Sequence, residues 1–354
     1  STTQLRPAST NPSSSPCHRC WIHAAHDRTD RARLAALEAS AVVVPTGYGL
    51  RMRFSVWPAP GRPVDEILDL ARLTDDLGWF SFWFADHYMV NTGSTDLAEG
   101  DTHEAWTILP AVAAVTSKIR IGPLVAPTSV HHPALLANRA ATLDHLSDGR
   151  MVLGLGAGWQ INEHHAYGID LEAPGARVSR FEESIQIVRS LLDNAHTDFD
   201  GDFYTFTNAP CDPKPIQAKL PLLVGTGGPR MCRITARHAD EWNTWGAPEM
   251  AAGRLETYTT ACEKVSVDPA SLHTSVQAMF FLTEDAEKIA KIKAGDSGER
   301  SIAGSTAHII DQIGQFAEQG FDEVIIPDFT LGATREERFA AYELFTAEIV
   351  PQLS

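Results

Sequence analysis

Residues 133–168 read PALLANRAATLDHLSDGRMVLGLGAGWQINEHHAYG. Leu135, Leu136, Ala140, Leu143 and Leu146 recur at helical spacing, which predicts a helix with one buried face. Asp148-Gly149 is a turn signal. Met151 to Leu155 is an apolar run of the right length for one strand buried on both sides. A glycine-rich mouth follows at Gly154, Gly156 and Gly158, and then a loop crowded with Trp159, Gln160, Asn162, Glu163, His164, His165 and Tyr167. Helix, turn, buried strand and polar loop form the repeating unit of a parallel α/β protein, whose chemistry sits at the C-terminal ends of strands. An active site is expected here.

The same unit recurs on both sides. Strands are expected at 53–57, 80–84, 119–125, 222–224, 240–245, 275–282 and 323–327, with helices at about 64–77, 103–116, 181–192, 248–264, 284–293, 305–319 and 335–347. A further helix opens after Pro229. DFDGDFYTF interrupts the alternation and reads as a hairpin turned at Asp200-Gly201. Eight strands, each followed by a helix, predict a single (β/α)8 TIM barrel of the α/β class with insertions on its C-terminal face. A doubly wound sheet is the competitor, but the fourth strand ends in G-x-G-x-G-W, and the dinucleotide fingerprint fails.

Of 354 residues 44% are hydrophobic, and the net charge is −16. That charge argues against nucleic acid or an anionic membrane as partner, since phosphates would be repelled. No apolar run approaches the roughly 18 residues of a membrane span. Five scattered cysteines read as reduced thiols of a cytoplasmic protein. Residues 1–50 lack a periodic apolar pattern and read as a disordered extension ahead of a domain at 51–354. Cys17, Cys20, His23 and His26 resemble a zinc set, but structural sites place a longer loop between ligand pairs, so no metal is expected.

Polar residues just beyond each strand are the site candidates. They are Trp57, Asp86-His87, residues 128–132 with His131, residues 159–165, residues 226–230, residues 243–245 and Asp328. Gly225, Thr226, Gly227, Gly228 and Pro229 suit an anion, because glycines admit close backbone approach and Pro229 opens a helix with unpaired amides. Arg230 would add charge. Trp159 and Trp245 fall beyond strand ends and are expected to line the site. The mouth carries few carboxylates, and adjacent pairs such as His131-His132 make poor joint metal ligands.

From Met52 to about Val350 the sequence resembles the bacterial luciferase-like flavin and deazaflavin oxidoreductases. The resemblance lies in GWFSFWFADHY, the 133–168 block with its preceding histidines, RFEESIQIVRSLL, YTFTNAPCDPKPIQ, PLLVGTGGPRMCRITARHADEWNTWG and GFDEVIIP. CDPKPIQ and GTGGPR with ARHADEWN look most like the branch that uses coenzyme F420, with FMN the alternative cofactor. The resemblance implies a cofactor ring across the barrel mouth, contacted by Asp86, His87, Leu124, Val125, Ala126, Gly158 and Asn162, with its phosphate on residues 225–229. It also implies a non-proline cis peptide at Leu124–Val125. Sugar-phosphate dehydrogenase relatives carry acids at the positions of Trp159 and, near the first strand's end, Trp57; here both are tryptophans, which implies an apolar substrate pocket.

The expected activity is hydride transfer between the deazaflavin and a small organic substrate, with His87 as acid or base. An imidazole can serve either way near neutrality. His131, His164 and Glu163 are in reserve. Two rivals stay open: an FMN-dependent monooxygenase using O2, and a non-catalytic cofactor binder. Expected partners are the small-molecule substrate and an enzyme that reduces the cofactor, and a homodimer is compatible with the sequence.

Overall fold

The computed structural model describes residues 52–353. The first strand, β1 (Arg53–Trp57), alternates: Phe54 and Val56 pack outward under the helices, while Ser55 and Trp57 face the interior. The first helix, α1 (Val64–Asp76), buries Ile67, Leu70, Ala71 and Thr74, and Gly78 just beyond it has the left-handed φ of 77° that ends helices. The pattern repeats through β2 (Ser81–Phe84), α2 (Ala105–Val115), β3 (Arg120–Pro123), β4 (Ala126–Pro127), α3 (Pro133–Leu146) and β5 (Leu153–Gly156). After the helices α4 (Ile161–Tyr167) and α5 (Pro174–Asp193) comes an antiparallel hairpin, β6 (Thr197–Asp200) and β7 (Thr205–Ala209). Then follow β8 (Leu222–Gly225), α6 (Pro229–His238), β9 (Glu241–Trp245), α7 (Pro248–Lys264) and β10 (His273–Gln277). The chain ends with β11 (Met279–Leu282), α8 (Ala286–Ala294), β12 (Ser301–Gly304), α9 (Thr306–Gln319), β13 (Glu323–Pro327) and α10 (Arg335–Leu344).

Parallel pairing runs β3-β2-β1-β13-β10-β9-β8-β5-β4. Ile121 bridges Met151, which joins the two ends and closes the barrel. Segments β3 and β4 are one barrel strand broken at Leu124–Val125, where the peptide is cis. Val125 then lies against neighbouring strands: a Cβ on Gly156 would fall 2.6 Å from its Cγ2, and one on Gly225 3.2 Å from its Cγ1. The barrel's apolar centre is small, built from Trp57, Trp83, Ala85, Leu124, Val152, Leu223 and Ile325. The larger core lies between strands and helices.

The N-terminal end of the barrel is closed by charge. Trp83 Nε1 donates to Glu323 Oε1 at 2.9 Å, His273 Nε2 meets Glu323 Oε2 at 2.8 Å, and Arg120 pairs with Glu241. Burial disfavours a charged His273, but the hydrogen bond and charge of Glu323 outweigh it and hold the imidazole above its ordinary range. Burial likewise opposes the Glu323 carboxylate, and His273, Arg120 and Ser55 bring it below the usual value regardless. Glu241 goes the other way, raised by burial against the pull of Arg120.

Three expectations change. Leu135 and Leu146 are exposed, because the buried seam of α3 runs Leu136, Ala140, Leu143 and the other two lie off it. The expected 275–282 strand is two: β10 stays in the barrel, while β11 leaves it to pair in parallel with β12, which periodicity did not show. Helix α5 begins seven residues before Phe181, at Pro174. Cys17, Cys20, His23, His26 and the 1–50 extension lie outside the described residues. No helix among the described residues is long and apolar enough to cross a membrane. Cys211, Cys232 and Cys262 are buried free thiols.

Candidate active site

Strand β2 delivers Asp86, His87 and Tyr88 to the C-terminal mouth. Asp86 is fully buried: Trp106 Nε1 donates to its Oδ2 at 2.9 Å, and His131 Nε2 lies 2.9 Å from the same oxygen. Since a carboxylate only accepts, His131 carries its proton on Nε2, leaving Nδ1 to accept from Arg139 at 3.2 Å. Both nitrogens of His131 are engaged, and the residue backs Asp86 from within the protein. Asp86 Oδ1 finds no hydrogen-bond partner among the described residues.

His87 is held from the other side. Its Nδ1 donates to Glu163 Oε1 at 3.0 Å, and the second oxygen of Glu163 accepts from Tyr88 N at 3.0 Å. Glu163 is buried, whereas the His87 side chain stays partly open. Edge-on contact with Trp159 at 5.5 Å completes its setting, and Trp159 is 56% exposed. His87 is therefore fixed at one ring nitrogen, and its Nε2 has no hydrogen-bond partner among the described residues.

Helix α4 supplies that carboxylate and anchors the loop above. Gln160 Nε2 donates to Met89 O at 2.9 Å and Asn162 Nδ2 to Val90 O at 2.7 Å, while Asn162 Oδ1 is buried without a partner. His164 is tied down at both nitrogens, by Gln160 O at 2.6 Å and Ser129 Oγ at 2.9 Å. Gly158 has φ 90° and leaves no room for a Cβ, which would fall 1.9 Å from Ser129 Oγ.

On the opposite rim Trp57 packs against Trp245 at 5.4 Å and Phe329 at 5.1 Å. With the Gln277 amide oriented to satisfy both ends, its oxygen accepts from Trp245 Nε1 at 2.8 Å. Trp57 Nε1 is buried and has no partner among the described residues. Asp328 stands apart from this wall: it accepts from Ala59 N at 2.8 Å and Arg62 Nε at 3.0 Å, a structural clamp on the loop after β1.

Residues 225–229 join β8 to α6, with Gly228 as an N-cap lacking any side-chain cap and Pro229 in the first turn. The loop is pinned to the core: Trp242 Nε1 donates to Thr226 O at 3.0 Å, and Trp242 stacks flat on Tyr258 at 4.3 Å. Arg230 does not supply the expected charge. It is drawn away to Gly175 O at 3.1 Å, Ser179 Oγ at 2.9 Å and Glu182 Oε2 at 3.3 Å. Two site residues escaped the sequence reading. Phe329 was findable by the rule that selected Trp245, an aromatic beyond a strand end. Trp106, inside a helix, carried no such signal.

The profile of the family described as luciferase-like monooxygenase matches residues 44–293. An uncharacterised Mycobacterium tuberculosis protein is 35% identical over 187 residues, covering 49% of this chain and 65% of that one. An F420-dependent glucose-6-phosphate dehydrogenase from Amycolatopsis mediterranei is 30% identical over 178 residues, covering 49% and 51%. The chain thus spans between half and two thirds of the length of these curated relatives. Among solved structures, the coenzyme F420-dependent tetrahydromethanopterin reductase of Methanopyrus kandleri superposes with TM-score 0.71 at 19% identity, over 86% of this chain and all of that one. The profile match runs over more than half of the chain, and the chain belongs to the luciferase-like monooxygenase family.

Proposed function

We propose that this protein is an F420-dependent oxidoreductase acting on a small apolar organic substrate, with His87 as its proton carrier. The His87–Glu163 contact of 3.0 Å carries this reading. Glu163 fixes the imidazole's tautomer and leaves Nε2 to accept or release a proton. The mouth suits the cofactor on three counts. Gly228 is open, with nothing within 4 Å of the place a Cβ would take. The amides of α6 lack a side-chain cap. Asp86 Oδ1, Asn162 Oδ1 and Trp57 Nε1 are polar atoms without partners among the described residues.

Bound there, the deazaflavin supplies the hydride chemistry. The chain's residues do the rest. The amide of Gly227 and the first amides of α6 hold the anionic end, those of Thr226 and Gly228 being engaged by Asn243 O and Thr226 Oγ1. Trp57, Trp245 and Phe329 form an apolar wall that excludes water from one side. His87 moves the proton, and Asp86 with His131 keeps the strand end beside it in place. Tryptophan at 159 and 57 removes the acids that a sugar phosphate reaction would use, so the substrate class differs from that of the dehydrogenase relative. Titrating the purified protein with F420 and with FMN, followed by fluorescence and absorbance, tests this. F420 binding in the micromolar range or tighter is expected. Binding of reduced FMN with oxygen uptake, and no F420 binding, would establish the monooxygenase instead.

A further inference from the structure

Resting on the F420 reading, we propose that Arg254, nine residues beyond the end of β9 in sequence, is the cation of the phosphate site, and that it matches the single negative charge of a phosphodiester. Its guanidinium occupies the space a side chain on the loop would need: a Cβ on Gly227 would fall 1.5 Å from Arg254 Nη1 and 2.7 Å from its Cζ. Glycine at 227 is thus what lets this arginine lie against the loop. Arg254 forms no hydrogen bond or ion pair with any described residue, and its buried Nε is unpartnered.

A second group points to the same place. Side chains alternate along a strand, so Thr244 shares the face of β9 that carries Trp242. On α7 Arg254 lies four residues before Tyr258, hence on the same side of the helix. Trp242 and Tyr258 stack at 4.3 Å, which brings these two faces together. Strand and helix run in opposite senses, so Thr244 and Arg254 both lie on the mouth side of that stacked pair. The Thr244 hydroxyl is buried, 3% exposed as a residue, and has no hydrogen-bond partner among the described residues. An unpaired guanidinium, an unpaired buried hydroxyl and the uncapped amides of α6 thus converge around an open Gly228.

The neighbouring arginines are otherwise engaged. Arg230 is bound to Glu182, and Arg233, in the cleft between α6 and α7, donates to Pro229 O at 3.2 Å. The one guanidinium that lies against the loop suits a phosphodiester monoanion better than the near-dianionic phosphomonoester of FMN. Oriented guanidinium contacts to phosphate are among the stronger hydrogen bonds.

The experiment is a fluorescence titration with F420 on wild type, Arg254→Ala, Arg254→Lys and Arg230→Gln, at low and high salt, with FMN in parallel. Arg254→Ala should raise the F420 Kd roughly 10- to 100-fold and lose most of the salt dependence. Arg254→Lys should recover part of the affinity. Arg230→Gln should stay within about threefold of wild type, as expected for an exposed pair. If Arg254→Ala shifts the unfolding curve, Arg254→Gln, closer in shape, replaces it. Wild type binding F420 with Arg254→Ala binding equally, or with unchanged salt dependence, overturns the role of Arg254 and leaves the F420 reading standing. Wild type binding no F420 overturns both.

Discussion

The two ends of the barrel use their polar side chains in opposite ways. At the N-terminal end Glu323 has both carboxylate oxygens occupied, by Trp83 and His273, and Glu241 is paired with Arg120. Glu241, His273 and Glu323 offer ligand atoms within 4.8 Å of one another, a spacing a metal would accept. Yet the arginine and the two ring donors already fill those oxygens, apart from Glu241 Oε2. At the C-terminal end the opposite holds: Asp86 Oδ1, Asn162 Oδ1, Trp57 Nε1, Thr244 Oγ1 and Arg254 Nε all lack partners among the described residues. Density of charge marks the plug. Unused hydrogen-bonding capacity marks the candidate site.

The sharpest way to break this contrast is at His87. His87→Asn should leave F420 affinity within a few-fold and lower turnover by about 10²–10⁴, the usual worth of general acid–base catalysis. Glu163→Gln should give a smaller loss with a displaced pH–rate profile, since it acts through the imidazole. Trp159→Ala is the control, changing KM or substrate range and leaving the pH profile in place. Turnover near wild type in His87→Asn, with the same profile, would move the proton to solvent and leave the mouth a binding surface only.

At the other end the expected effect is on stability. Glu323→Ala leaves the Trp83 and His273 donors facing an empty space and should cost about 3–5 kcal/mol in urea unfolding, the range for breaking a buried pair. The sign of the pH dependence follows from the two shifts. His273 is raised, so its contribution is full below its ordinary 6.5 and fades as pH climbs through the higher folded value. Glu323 is lowered, so its contribution is full above its ordinary 4.5 and fades as pH falls through the lower folded value. Together they predict a maximum between about pH 4.5 and 6.5 that Glu323→Gln flattens. A stability curve of the same shape in the variant would show that the plug does not govern it.

The smallest effect separates two adjacent glycines. Gly228→Ala should fold and melt as wild type, because nothing lies near its Cβ, so any lost affinity reports the ligand's approach. Gly227→Ala must displace Arg254 and should lose about tenfold or more in F420 affinity. Equal binding by both variants would take this loop out of the site.

How much of this was legible follows from range. Helices such as α1 and α7 and the barrel strands announce themselves through local periodicity, and the break at Leu124–Val125 came through family resemblance. Strand β12, only SIAG, is too short to show alternation, and its partner β11 had been absorbed into the strand before it. The candidate site was read by position, at the ends of strands. Its partnerships were not, because they join distant residues: His87 and Glu163 are 76 apart in sequence, and Asp86 and His131 are 45 apart. Arg230 was the local candidate for phosphate; folding turns it to Glu182 and lays Arg254 against Gly227 instead.

The contact between Val125 and Gly156 has a consequence for descent as well as for packing. A methyl on residue 156 is excluded by one side chain, Val125, at 2.6 Å, and by nothing else within 3.5 Å. Those two positions are therefore expected to drift as a pair. Lineages with alanine at 156 should carry a smaller residue at 125, and Gly156→Ala, harmful alone, should be rescued by Val125→Ala. The glycine-rich signature of the fourth barrel strand is in that part a record of what its neighbour became.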